Sequence, residues 1–403
     1  MINKNMSEFP IHYTNPIMKI AIGWGVHETV ADECKFAGVK KALIVTSGLK
    51  GTGIIEEMNQ ILINGGITTA IYDKVTSNPK DYEVMAAYDI FKEEECDGVV
   101  SIGGGSSHDC GKGVRAVAAN DGTFVNDLAL YIEPPWMEQM EKFKPTTIPQ
   151  ICVNTTAGTG AETTFVGAIT NTKDRVKQLV SVPGINPTAA LIDPLLVRMM
   201  PRNVAAWTGF DALSHGFEGY LSRTECEYTK ALNERTIRLV ADNLREFTYN
   251  RMNHKACEKM CWASSMGGVG IQLGAGAGIL HGLSHQFSAV TGCQHGLANA
   301  VMTLGLERYN QPSCPEKFAD MASMMGADIN GLTRLEAADK WFEEIEKLLK
   351  DLGIRSGNLN EQFGLEKKDL DHIVTLYSKD WCMQGNPREF NYDECISLLE
   401  NIL

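Results

Sequence analysis

Gly98-Val-Val-Ser-Ile-Gly-Gly-Gly-Ser-Ser-His-Asp109 decides how the first half of this chain folds. A short apolar run ends in three glycines and then in polar residues suited to a helix start. Glycines let backbone N–H groups approach a phosphate, and a helix N-terminus favours negative charge. Ser106, Ser107 or Asp109 is expected to cap that helix. The turn is not the G-x-G-x-x-G fingerprint, and Lys112 is misplaced for a Walker loop. Alone, three glycines after a strand equally describe an ordinary tight turn.

The flanking sequence repeats the same rhythm. Lys41 to Thr46 reads as a strand ending in Ser47-Gly48, and residues 53–65 as a helix. Thr68 to Tyr72 reads as a strand and Met85 to Glu94 as a helix. Alternation of this kind predicts a parallel sheet covered on both faces. A second turn, Asn154-Thr-Thr-Ala-Gly-Thr-Gly-Ala-Glu-Thr163, also follows an apolar run. It reads either as a phosphate or ribose loop or as a threonine-rich helix cap. Two such turns in one α/β unit favour a dinucleotide.

Beyond Ile192-Asp193-Pro194 the signals become helical. They cover Tyr228 to Leu244, Ala256 to Val269, Pro315 to Met325, Arg334 to Leu352 and Lys367 to Ser378. The expected division is an α/β dinucleotide-binding domain over 1–196 and an all-helical metal-binding domain over 197–403.

Bulk properties suit a soluble globular protein. The 403 residues are 44% hydrophobic and 22% charged, with a net charge of -13. That charge argues against nucleic-acid or anionic-membrane partners. No apolar signal core or membrane-length run is expected from the sequence. Eleven scattered cysteines without a C-x2-C pair point to reduced thiols and a cytoplasmic setting.

Five of the nine histidines fall between 215 and 295. Asp211 and His215 are four residues apart and share a helix face, as do His281 and His285. His295 follows Gly292-Cys-Gln294 and is expected at a loop or helix start. Carboxylate and imidazole donors suit divalent iron or zinc. Spacing alone leaves five candidates for about four positions. His108, inside the glycine turn, reads as helix-start packing or as a site residue.

These motifs together resemble the iron-containing (group III) alcohol dehydrogenases. The branch in view contains NAD(P)-dependent methanol, 1,3-propanediol and lactaldehyde enzymes. Further markers are Ser77-Asn-Pro79, Gly209-Phe-Asp-Ala-Leu-Ser-His-Gly-Phe-Glu218 and Asn386-Pro-Arg388. The resemblance implies a dehydroquinate synthase-like fold, with an α/β dinucleotide-binding domain before the helical metal domain and the active site between them. It implies Asp211, His215, His281 and His295 as ligands of Fe2+, with Zn2+ as the alternative ion, and His285 as a proton relay. It implies Gly104, Gly105 and Ser106 at the pyrophosphate, and Thr155 and Thr156 near the nicotinamide and its ribose. Asn78 and Lys177 match further cofactor positions. Ser47 stands where NAD-using members often carry Asp at the adenosine ribose, with Lys50 near by. The cofactor is therefore NAD or NADP.

Cys293-Gln294 replaces a common Pro before His295. Residues 131–144 read as an extended excursion. That excursion, the segment 47–53 and Asp380-Trp-Cys382 resemble dehydrogenases known as tightly cofactor-bound methanol oxidoreductases. The expected partner is a small primary alcohol or aldehyde, with Phe165 either lining the pocket or packing in the core. Arg388 is the one cation near the motifs suited to an anionic substrate. The resemblance also implies a homo-oligomer, dimer or decamer. Two other readings stand beside it: a dehydroquinate synthase-like metal and NAD enzyme, and a catalytically silent metal or nucleotide sensor.

Overall fold

The computed structural model describes residues 18–403. Residues 1–17, with His12 and the start of the α/β unit, lie outside the described residues.

Among the described residues six parallel strands form the main sheet: β1 (Lys19–Ile22), β2 (Lys41–Ser47), β3 (Thr68–Val75), β4 (Gly98–Gly103), β6 (Gln150–Asn154) and β9 (Ala189–Ile192). Their order is β1-β9-β6-β4-β2-β3. Every residue of β4, β6 and β9 is buried. This is why those strands read as continuous apolar runs rather than alternating ones. From β2 the chain moves outward to β3, then returns to β4 on the other side of β2. The direction of winding reverses between β2 and β4, and ligands of open α/β sheets sit beyond the carboxyl ends of strands at such a reversal.

Register makes that edge a site. Thr46 of β2 pairs with Ile102 of β4, and Gly103 of β4 pairs with Asn154 of β6. Ser47, the glycine turn and the threonine turn therefore leave the sheet side by side.

A second sheet was not expected. It contains β5 (Ala129–Leu130), β7 (Gly167–Asn171) and β8 (Val176–Val180), in the antiparallel order β5-β8-β7. The β7–β8 turn contains no glycine. Asn171 Oδ1 accepts from the Asp174 N–H at 3.0 Å, and Arg175 takes a φ of +53°. Without the usual Gly signal, the hairpin is hidden in a polar stretch. The expected excursion at 131–144 is ordered. It contains the helix Trp136–Met140, and the Ile132 N–H donates to Lys379 O at 3.1 Å.

The C-terminal domain is helical. Arg334–Leu352 shows why its members form: Thr333 and Glu336 make a capping box, and Gly353 ends the helix at φ +74°. Trp341, Phe342, Ile345, Leu348, Leu349 and Leu352 lie on its buried face. The helix Arg202–Leu221 is different, because nearly every residue from Ala205 onward is buried. It is the domain's central helix, and it carries Asp211 and His215. His281 and His285 lie on the helix Ile279–Thr291, and His295 opens the helix His295–Glu307.

Candidate functional site

Three imidazoles point at one carboxylate oxygen. Asp211 Oδ1 lies 4.0 Å from His215 Nε2, 3.7 Å from His281 Nε2 and 3.7 Å from His295 Nε2. The donors of a tetrahedral zinc-sized ion stand ~3.4 Å apart; Asp211, His281 and His295 have their ligand atoms within 4.8 Å of one another, and His215 stands farther out. Asp211, His215 and His281 are buried, and His295 is half-buried.

Protonation suits ligation at His215, His295 and Asp211, while His281 must give up a proton to ligate. Burial pushes His215 down to about 4 and lowers His295 well below its ordinary value. Burial opposes ionisation of Asp211, but His215 and His281 outweigh it and lower its pKa. Neutral imidazoles around an ionised carboxylate are the state a divalent cation requires. Burial also opposes charge on His281, yet the Glu218 and Asp211 carboxylates raise it to about 10.

Glu218 and Asn299 were not singled out as site residues, and both shape this cluster. Glu218 Oε2 accepts from His281 Nδ1. Glu218 Oε1 accepts from the backbone N–H groups of Gly278 at 2.9 Å, Leu280 at 3.0 Å and His281 at 3.3 Å. One carboxylate thus caps the helix Ile279–Thr291 and turns the His281 Nε2 lone pair toward Asp211. Asn299 Nδ2 donates to Asp211 Oδ1 at 2.8 Å and fixes that oxygen. The signal available for Asn299 was its position four residues after His295 on one helix. For Glu218 it was a second buried carboxylate on the helix that carries Asp211. Glu218→Gln is expected to weaken metal affinity about 10- to 100-fold while metal is still bound at saturation. Titration against a chelator of known affinity checks this, and an unchanged affinity would remove Glu218 from the orienting role.

His285 faces elsewhere. Its Nδ1 lies 3.6 Å from Asp380 Oδ2, which also accepts from Gln286 Nε2 at 3.1 Å. Its ring stacks on His295 with centroids 4.9 Å apart.

The cofactor candidates open onto the same space. A cleft of about 930 Å³ is lined by Ser47, Asn78, Gly104, Gly105, Ser106, Thr155, Thr156 and Lys177, together with Asp211, His215, His281, His285 and His295. That volume is at the upper end for ligand pockets and suits a dinucleotide with a small co-substrate.

The glycine turn is crowded on its protein side. A Cβ on Gly104 would stand 2.7 Å from Thr156 Cγ2, and one on Gly105 would stand 3.1 Å from Thr159 Cγ2. The two turns therefore interlock, and glycine is required by the packing itself. The expected side-chain cap is a correction: no side chain caps the helix Gly105–Ala119, and Ser107 Oγ instead pairs with Ser47 Oγ at 3.0 Å. Its leading N–H groups are left for an anion. Lys177 Nζ donates to Asn78 Oδ1 at 3.2 Å, and Asn78 Nδ2 donates to Cys293 O at 3.0 Å. This chain of contacts joins β8, the α/β domain and the segment before His295.

Several other expectations resolve simply. His108 is fully buried beside Ser101 and Asn154 and is a packing residue. Gln294, in place of Pro, caps the His295 helix by accepting from the Leu297 N–H at 3.0 Å. Lys50 is exposed. Arg388 pairs with Glu394 at 2.6 Å and stacks on Tyr309, so it is committed to structure. Phe165 lines the cleft.

Two family models match the chain. One is the iron-containing alcohol dehydrogenase model over residues 18–194, and the other is the C-terminal model of the Fe-containing alcohol dehydrogenase family over 205–403. The methanol:N,N-dimethyl-4-nitrosoaniline oxidoreductase of Rhodococcus erythropolis is 36% identical, with 98% of this chain and 97% of that protein aligned. The 1,3-propanediol dehydrogenase of Klebsiella pneumoniae is 37% identical over 92% of this chain and 93% of its own. A crystal structure of a 1,3-propanediol oxidoreductase superposes with a TM-score of 0.89 at 35% identity, covering 98% of this chain and 100% of that one. With a dinucleotide-sized cleft running to a carboxylate–imidazole cluster, the chain belongs to the iron-containing alcohol dehydrogenase family, whose chemistry is hydride exchange between an alcohol and NAD(P).

Proposed function

We propose that Asp211, His215, His281 and His295 hold the divalent ion, and that the substrate is a small primary alcohol or its aldehyde. The cofactor lies along Ser47, Asn78, Gly104, Gly105, Ser106, Thr155, Thr156 and Lys177, and His285 carries the proton. The observation that carries this reading is that all thirteen residues line one cleft. Iron follows from the family, while three imidazoles and a carboxylate suit zinc as well.

When bound, the ion supplies Lewis acidity that eases deprotonation of an alcohol hydroxyl, and the nicotinamide supplies the hydride acceptor. The protein sets distance and orientation. Glu218 and Asn299 hold the donor atoms, and the glycine helix faces the pyrophosphate. The His285 ring, 3.6 Å from Asp380 and stacked on His295, is positioned to receive the hydroxyl proton. His285→Asn is expected to keep stoichiometric metal and lower kcat about 100-fold or more. An unchanged kcat would remove His285 from the proton path.

Lys177 is the cleft's titrating cation. Burial lowers its pKa to about 8. Its charge is present below that value and lost above it, so cofactor affinity is expected to fall as pH rises through about 8. Dissociation constants measured across that range should show the fall in the wild type and none in Lys177→Met. A fall of equal size in the variant would assign it elsewhere. Ser47 places no carboxylate at the ribose position, so NAD and NADP are both to be tested.

We set the domain division between 196 and 197. Leu196 packs in the core beneath the main sheet, and Val197 packs in the helical core. Among the described residues no helix is long and apolar enough to cross a membrane. All eleven cysteines are free, which favours the cytoplasm. A homo-oligomer, dimer or decamer, follows from the family resemblance, and light scattering measures it. The decisive experiment for the whole reading is metal analysis combined with nicotinamide absorbance over a panel of alcohols and aldehydes. Metal and cofactor binding without turnover on any of them would favour a sensor.

A further inference from the structure

Three aromatic rings from three distant segments meet at one end of the cleft. Trp136 belongs to the 131–144 excursion, Phe165 to the segment before β7, and Trp381 to the C-terminal domain. Trp136 meets Phe165 edge to face, with centroids 5.0 Å apart at 86°, and Phe165 meets Trp381 in the same way at 5.7 Å and 86°. Trp136 and Trp381 are 6.1 Å apart. Phe165 and Trp381 line the cleft, and Trp136 packs behind them.

The wall stands beside the reacting end. Cys382, next to Trp381, lines the cleft, and its Sγ lies within 4.8 Å of a His285 ring nitrogen. The wall is also held on every side. The buried Lys112 Nζ donates to the Thr164 side chain, Oγ1, at 2.9 Å and to the Val166 backbone O at 2.6 Å, on either side of Phe165. Ser181 Oγ donates to Phe165 O at 2.7 Å. The excursion is tied at Ile132 to Lys379 O, and Gln178 Nε2 donates to Tyr131 Oη at 2.7 Å. A wall fixed in this way excludes by size rather than yielding to the ligand.

We propose that Trp136 is a specificity-determining positioning residue. Through its edge-to-face contacts it holds Phe165 and Trp381 across the alkyl end of the substrate pocket and confines the enzyme to short, unbranched alcohols and aldehydes. The proposal rests on the dehydrogenase reading of the cleft and adds what limits the chain length. Trp136 touches neither substrate nor cofactor. Its effect is on which alkyl chains fit, so it appears in KM more than in kcat.

The test measures kcat and KM for the linear alcohols from methanol to 1-hexanol with the metal- and cofactor-loaded enzyme. Trp136→Ala is expected to raise the 1-hexanol to methanol ratio of kcat/KM at least ~10-fold, mainly through KM, because each added methylene that finds room contributes several-fold in binding. Trp136→Phe retains an edge-to-face partner and is expected to keep the wild-type ratio. Phe165→Ala opens the same wall from inside the cleft and should shift the ratio in the same direction, which keeps the test available if Trp136→Ala does not fold. An unchanged ratio in a folded Trp136→Ala or Phe165→Ala, or an equal shift in Trp136→Phe, overturns the proposal. Dissociation constants for the same alcohols, measured calorimetrically, give the ratio without turnover. Wild-type protein that discriminated alcohols by length but transferred no hydride would lose the dehydrogenase reading and keep this one.

Discussion

His281→Ala is expected to lose bound metal and at least ~10³-fold in kcat/KM, since metal charge stabilisation is worth several kcal/mol. The His281 ring stands between two carboxylates, with Nδ1 on Glu218 and Nε2 3.7 Å from Asp211 Oδ1. Its removal takes away one donor and also the group through which Glu218 acts on the cluster. The fold should survive, because Glu218 Oε1 still accepts from three backbone N–H groups. Metal analysis beside circular dichroism checks this. Full turnover with stoichiometric metal would refute the ligand assignment.

Gly158→Ala is expected to be the most disruptive single-methyl change in the threonine turn. A Cβ there would stand 1.9 Å from Thr208 O and 2.3 Å from Thr208 C. Those are backbone atoms of the central helix, one turn before Asp211, and they cannot swing aside. The Gly158 N–H also donates to Ser264 Oγ at 2.7 Å, so the threonine turn is wedged between two helices. Relief of the clash moves the threonine turn away from the central helix. We expect a loss of about 3 kcal/mol or more, at the upper end for overpacking, with a fall in the calorimetric unfolding midpoint and in cofactor affinity. Gly23→Ala, where a Cβ meets nothing within 4 Å, is the matched control. Equal midpoints for the two variants would mean that the turn and the helix are not in close contact.

Much of this architecture was legible because local rules and the final fold agree. The strands β2, β4 and β6 are buried on both faces and so read as unbroken apolar runs. Arg334–Leu352 carries its caps and its apolar stripe in its own sequence. The β7–β8 hairpin was missed because its turn is held by an Asn171–Asp174 hydrogen bond instead of a glycine. Lys177, carried on β8, was accordingly placed by family resemblance and not by any local pattern.

The site divides along similar lines. The spacing of Asp211 and His215 puts them on one helical face, and the strand–glycine–helix pattern announces a phosphate turn. Those readings depend on intervals of a few residues, where helix and strand geometry is fixed. Sequence alone therefore determined the donor types, the two turns and the α/β-then-helical order. It left His285 equal to the other imidazoles, and it left Glu218 and Asn299 as polar residues on apolar helices. Tertiary structure decided these. It aims the Nε2 atoms of His215, His281 and His295 at one Asp211 oxygen, turns His285 toward Asp380, and brings Trp136, Phe165 and Trp381 together. The physical reason is that a side chain's direction is set by the helix or loop packed against it. Here those partners lie tens to hundreds of residues away, beyond the reach of any local period.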